Sequence, residues 1–244
     1  MSYGSYGGWA RYVPVAERKI KAAKLVKKLR QKGQSISPIE ISGRAIATTF
    51  WGKSWNNNLE SYSDAHNRLE RGRTYVRNGS VIDLKVLPMN VTAMVNGSSI
   101  YTTTISIEAL DQSLWQGICE DCSGEINSLV ELLQGKLSKA VMERVCSQTT
   151  GLFPKSAEIS FDCSCPDGAE MCKHVSAVLY GIGARLDTEP ELLFRLRDVD
   201  ENALVTDINQ ALPLSDQSNE VEDVLEADDI SGMFGIEIAD LDEK

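Results

Sequence analysis

The chain has 244 residues, 42% of them hydrophobic, and a formal net charge of −10. That is enough apolar content for a sizeable core, and no run of apolar residues is long enough for a membrane-spanning helix. A negative balance ordinarily argues against nucleic acid as a partner, but the charge is divided: residues 1–33 carry +8 and residues 198–244 carry −14.

The pattern along the chain divides it into four parts. Residues 1–36 read as a basic N-terminal helix and linker, and 37–150 as an α+β domain with an antiparallel meander and a helical segment. Residues 151–200 read as a segment with a cysteine–histidine cluster and a buttressing helix, and 201–244 as an acidic tail.

After a start rich in Gly, Ser and Tyr, the spacing predicts a helix over Val15 to Lys32, with Ile20, Ala23, Leu25 and Leu29 sharing part of one face. Lys24, Lys27 and Lys28 lie on the remainder. They are candidates for phosphate contacts, since each neutralised phosphate releases counterions. A solvated helix docked by its narrow stripe explains the same pattern. Membrane-surface binding fits less well, because that stripe lacks a bulky aromatic residue.

Lys32-Gly33-Gln34-Ser35 reads as a helix stop, and Ile39 to Phe50 as a short strand. Trp51, Trp55, Leu59 and Tyr62 then step along a helix whose tryptophans belong to the core.

Between Arg73 and Ile107 the period changes to two. The alternation predicts a small antiparallel β-meander of about four strands, with Asn78-Gly79 and Asn96-Gly97 as hairpin turns and Pro88-Met89-Asn90 as another reversal. Its first strand would project Arg73, Tyr75 and Arg77 on one face, just after Arg68 and Arg71. Such a basic and aromatic patch suits a phosphate backbone or a single strand. An edge strand with arginines solvated, or paired with acids such as Glu70, is the other reading.

Cys119-x-x-Cys122 is only half of a metal site, with Cys146 and His66 as the remaining donors, so these read as structural thiols. From Glu125 to Val145 an apolar stripe containing Gly135 predicts one kinked helix or two.

The most informative stretch is Cys163-x-Cys165 followed by Cys172-x-His174. Three of the six cysteines and one of the two histidines fall within residues 163–174. Three thiols and an imidazole form a ligand set that Zn2+ accepts in a closed tetrahedral site with no position left for substrate. Ile159, Phe161, Cys163 and Cys165 alternate as on one strand face, Pro166-Asp167-Gly168 supplies a turn, and Val175, Val178, Leu179 and Ile182 repeat at helical spacing. Strand, turn and helix start would therefore converge on one metal. The start of the chain has no apolar stretch of the secretory kind, so the expected location is the cytoplasm, where thiols stay reduced.

This segment resembles the SWIM zinc finger, and the text around it is similar to bacterial SWIM zinc finger family proteins. The likeness covers Phe50-Trp51-Gly52 with Trp55, Arg71-Gly72-Arg73 with Tyr75 and Arg77, Gly151-Leu152-Phe153-Pro154, and Pro190 through Arg197. The resemblance implies a structural zinc module that binds DNA or protein and works beside a Swi/Snf-type helicase-like ATPase.

Pro190 opens a short helix over Leu192 to Leu196. In the tail, Ile230, Met233, Phe234 and Ile236 stand among acids, as a partner-binding segment or a terminal element folding back. No phosphate-cradling loop or dinucleotide fingerprint occurs. The expectation is a non-enzyme with DNA and a helicase-like ATPase as partners, no membrane and no small-molecule substrate. An adaptor that docks on the ATPase without touching DNA is the alternative. Loss of a zinc ligand is expected to loosen residues 155–200 while the rest stays folded.

Overall fold

A computed structural model describes residues 14–61 and 66–205 of the chain. The stretch with Ile230, Met233, Phe234 and Ile236 lies outside the described residues, as do the first thirteen residues and Tyr62.

The first helix, α1, runs over Val15–Gln31 and stops where Gly33 takes φ +79. There Gly33 N–H donates to Arg30 C=O and Gln34 N–H to Leu29 C=O, the paired bonds that close a helix on a left-handed residue. Its inward stripe is Ala22, Leu25, Val26 and Leu29, at i, i+3, i+4 and i+7. That differs from the expected face: Ile20 is 57% exposed and Ala23 is exposed as well. Small Ala22 goes inward because α1 lies against strand β1 (Val81–Leu87).

The strand expected over Ile39 to Phe50 does not form. Two backbone bonds tie residues 37–39 to β1, from Ile39 N–H to Val81 C=O and from Leu84 N–H to Ser37 C=O, and Ser37 N–H also donates to the Asp83 carboxylate. Pro38 between them has no N–H to extend a ladder.

Helix α2 (Phe50–Ser61) begins under Asp187, whose carboxylate accepts from both the N–H and the hydroxyl of Thr48 and of Thr49. A carboxylate at a helix N-terminus is favourably placed against unpaired N–H groups and the helix dipole. Trp51 and Trp55 are buried as expected, and each indole N–H reaches a carbonyl, Leu132 at 2.9 Å and Leu179 at 2.8 Å. Burial of each ring is worth roughly 1.5–3 kcal/mol or more.

The stretch read as the first meander strand is a helix, α3 (His66–Arg77). Leu69, Gly72 and Val76 face inward at i, i+3 and i+7. The apparent alternation of Arg73, Tyr75 and Arg77 is a chance overlay on helical period. Asn78-Gly79 is accordingly not a hairpin turn. Gly79, at φ +66, closes α3 with bonds from Gly79 N–H to Val76 C=O and from Ser80 N–H to Tyr75 C=O.

Strands β1, β2 (Asn90–Asn96), β3 (Ile100–Ile107) and β4 (Ile159–Cys163) form one antiparallel sheet in that order. Pro88-Met89 turns β1 into β2, with Met89 at φ 55. Val91, Ala93 and Val95 of β2 and Thr103, Ile105 and Ile107 of β3 are buried on the core face. The fourth strand is the one leading into the cysteine cluster, paired with β3 from Ile107↔Ile159 to Thr103↔Cys163.

Between β3 and β4 the chain forms α4 (Gln112–Asp121), α5 (Leu129–Gln134) and α6 (Lys139–Val145). The stripe around Gly135 is thus two helices, α5 ending at Gly135 in the left-handed region. Helix α7 (Lys173–Arg185) packs on α2, α3 and the sheet, and is buried without a break from His174 to Gly183. Helix α8 (Leu192–Leu196) closes the core with Leu192, Leu193, Phe194 and Leu196. Among the described residues no helix is long and apolar enough to cross a membrane.

Candidate metal centre

The sheet and α7 deliver four donors to one point. Cys163 is the last residue of β4, and its register opposite Thr103 fixes its side of the sheet. Cys165 follows after Ser164, whose N–H and hydroxyl continue the pairing with Thr102. The chain then crosses a bend and enters α7 at Cys172, the N-cap residue, with His174 in the first turn.

The donor atoms of Cys163, Cys165, Cys172 and His174 all lie within 4.8 Å of one another. His174 Nδ1 stands 3.9 Å from Cys163 Sγ and 3.8 Å from Cys172 Sγ. Nδ1 is therefore the nitrogen turned to the thiols. The four residues form a group that could hold a metal ion. Soft thiolates with one imidazole fit a borderline or soft metal and not a hard one such as magnesium or calcium.

Burial sets the protonation of two of the donors. It pushes the Cys172 thiol up to about 12 and, with Lys173 beside it, holds the His174 imidazole down at about 4. The imidazole is thus neutral and ready to ligate at neutral pH, whereas the thiol must give up its proton as the metal enters. Thr103 Oγ1 and Val175 N–H each lie 3.5 Å from a sulfur, Cys163 and Cys172 respectively, where they stabilise thiolate charge.

A ring cage that the sequence did not disclose holds the histidine. Tyr101 stacks on the imidazole with centroids 4.4 Å apart, and Tyr75 meets it edge-on at 5.5 Å. Gly97 lies beside Nε2, where an added Cβ would come within 3.1 Å of that nitrogen and 2.9 Å of the Tyr101 ring. The only sequence signal for Tyr101 is its place two residues before Thr103 on an alternating strand.

The residues read as a nucleic-acid patch are spread over different environments. Arg68 is paired with Asp167 in the loop between the cysteine pairs. Arg73 bonds Glu60 at 2.6 Å and the Tyr180 hydroxyl at 2.8 Å, and the Glu60 carboxylate is the chief cause of its raised pKa. Tyr75 lies against His174, with the Arg18 guanidinium over its ring at 5.5 Å. Arg71 and Arg77 are exposed, as are Lys24, Lys27 and Lys28 on α1, and none of the five is in an ion pair among the described residues. Cys119 and Cys122 end α4 with their thiols pushed up by burial, and belong to no donor group among the described residues.

No family model and no solved structure matches the chain. It is 33% identical over 185 residues to the uncharacterized protein Rv2102 of Mycobacterium tuberculosis, a match covering 72% of this chain. The same match covers 66% of that protein, just under two thirds of its length.

Proposed function

We propose that Cys163, Cys165, Cys172 and His174 hold one structural zinc ion in a SWIM-type finger, and that the protein is a non-catalytic nucleic-acid-binding accessory factor. Its working partner would be a Swi/Snf-type helicase-like ATPase. The observation that carries the zinc assignment is the convergence of four donors within 4.8 Å. A tetrahedron with zinc–sulfur bonds of about 2.3 Å has sulfur–sulfur edges of about 3.8 Å and sulfur–nitrogen edges of about 3.6 Å. The Nδ1 separations of 3.8 and 3.9 Å need only small closure. With every position supplied by the chain, the metal's contribution is to fix β4 against the start of α7.

The nucleic-acid part rests on Arg71 and Arg77, which are exposed on α3, the helix packed directly on α7, and on the lysines of α1. It is tested by fluorescence anisotropy with a labelled duplex over a salt series. Binding should weaken steeply with salt, and an Arg71→Ala/Arg77→Ala chain should bind more weakly across unrelated sequences with a salt slope smaller by about 1–2. Absence of salt-dependent binding would remove this part of the proposal.

A second reading, the adaptor that touches the ATPase and not DNA, draws support from one observation. Arg68 and Arg73 already answer Asp167 and Glu60 and are not free for phosphates.

A further inference from the structure

Helix α1 and the segment from Pro38 to Ile41 bound a groove of about 730 Å3 that the metal centre does not use. Its floor is aliphatic: Ala22, Ala23, Val26, Ile39 and Ile41. Its rim is cationic, with Lys19, Lys27, Arg30 and Arg77 against Glu40 alone. On α1 the lining residues 19, 22, 23, 26, 27 and 30 recur at helical spacing, so one side of the helix supplies both floor and charge.

We propose that this groove docks an acidic peptide with an apolar face, presented by a partner protein. The inference goes beyond the nucleic-acid reading and does not depend on it. The warrant is charge complementarity combined with the chemistry of the floor. From Lys19 to Arg30 the helix rises about 16 Å, too far for one carboxylate to answer both ends. A polypeptide carrying several acids can meet all four cations. Bases of a single strand would need aromatic faces to stack on, and the groove offers none among its lining residues. Aliphatic side chains at i, i+3, i+4 and i+7 fit such a floor, as in other helix-in-groove contacts.

The test uses the full chain and a labelled peptide of about fourteen residues, with leucines at helical i, i+3, i+4 and i+7 spacing and glutamates elsewhere. A labelled single-stranded oligonucleotide is run beside it. The expected result is saturable peptide binding that drops at least about tenfold in Ala23→Glu and in Lys19→Glu, and equally when the peptide's leucines become serines. Both residues are exposed, so the variants should keep the parent's melting temperature. Arg71→Ala, outside the groove, should leave peptide binding unchanged while weakening any duplex binding, which separates this inference from the nucleic-acid reading. The proposal is overturned if the peptide fails to bind, or if the serine peptide binds as well as the leucine one. It is also overturned if only the oligonucleotide binds and loses its binding in Lys19→Glu.

Discussion

His174 is held by its neighbours as much as by its backbone. Tyr101 covers one face, Tyr75 abuts the edge, and Gly97 leaves room beside Nε2. A methyl group at Gly97 would have to displace either the Tyr101 ring or the imidazole. Gly97→Ala should therefore weaken metal affinity about 10–100-fold while leaving the four ligands in place, read by competition with a chromogenic chelator. Unchanged affinity would mean that the ring cage does not position the ligand.

Asp187 lends itself to a pH test. Burial alone would raise its pKa, but the Thr49 and Thr48 donors outweigh it and hold the carboxyl below its ordinary value. A depressed folded value contributes stability above the unfolded value of about 3.9, and that contribution is lost as pH falls through the folded one. Asp187→Asn should cost about 1 kcal/mol at pH 7, less than the roughly 1.5–3 kcal/mol of a buried charge-assisted bond because the carboxylate is partly solvated. Urea titrations at about pH 7 and pH 3 should find that cost shrinking in acid; an equal cost at both would sink the argument.

Helix α3 is where reading the sequence failed. Its inward positions are Leu69, Gly72 and Val76, and a glycine at the centre hides the apolar stripe. Gly72 is there because Ser176 of α7 leaves no space: an added Cβ would stand 2.5 Å from the Ser176 Cβ. The Asn78-Gly79 signal was sound as a left-handed position, but a helix end uses it as readily as a hairpin does. Gly79→Ala should cost about 1 kcal/mol, the strain of a side chain at positive φ. Gly72→Val, which must push α3 off α7, should cost about 3 kcal/mol. Thermal melts of the two chains check the order, and a Gly72→Val chain as stable as Gly79→Ala would mean that the helices separate freely. The cysteine–histidine cluster was more legible than α3. The alternation through Cys163 and the helical repeat from Val175 lie in one short stretch, so both β4 and the start of α7 were local signals. The partner of β4 was not local, because β3 lies more than fifty residues earlier in the chain.

That pairing changes what metal loss should do. From the sequence, residues 155–200 look separable, and only their loosening is expected. In the structure β4 completes the same sheet as β1, β2 and β3, and α7 is buried from His174 to Gly183 between that sheet and helices α2 and α3. Arg197, 1% exposed, adds a further tie by bonding the Glu158 carboxylate and the Glu108 carbonyl. Chelation should therefore lower the midpoint of a single transition, with amide protection falling in β3 and α2 together with β4. Loss of protection confined to residues 155–200 would restore the separable picture.

Elemental analysis of the full chain, purified without oxygen, decides whether the four donors hold zinc. One zinc per chain is expected, lost in Cys165→Ser and retained in Cys119→Ser/Cys122→Ser. A chain without zinc, or one whose zinc survives Cys165→Ser, would contradict the zinc assignment.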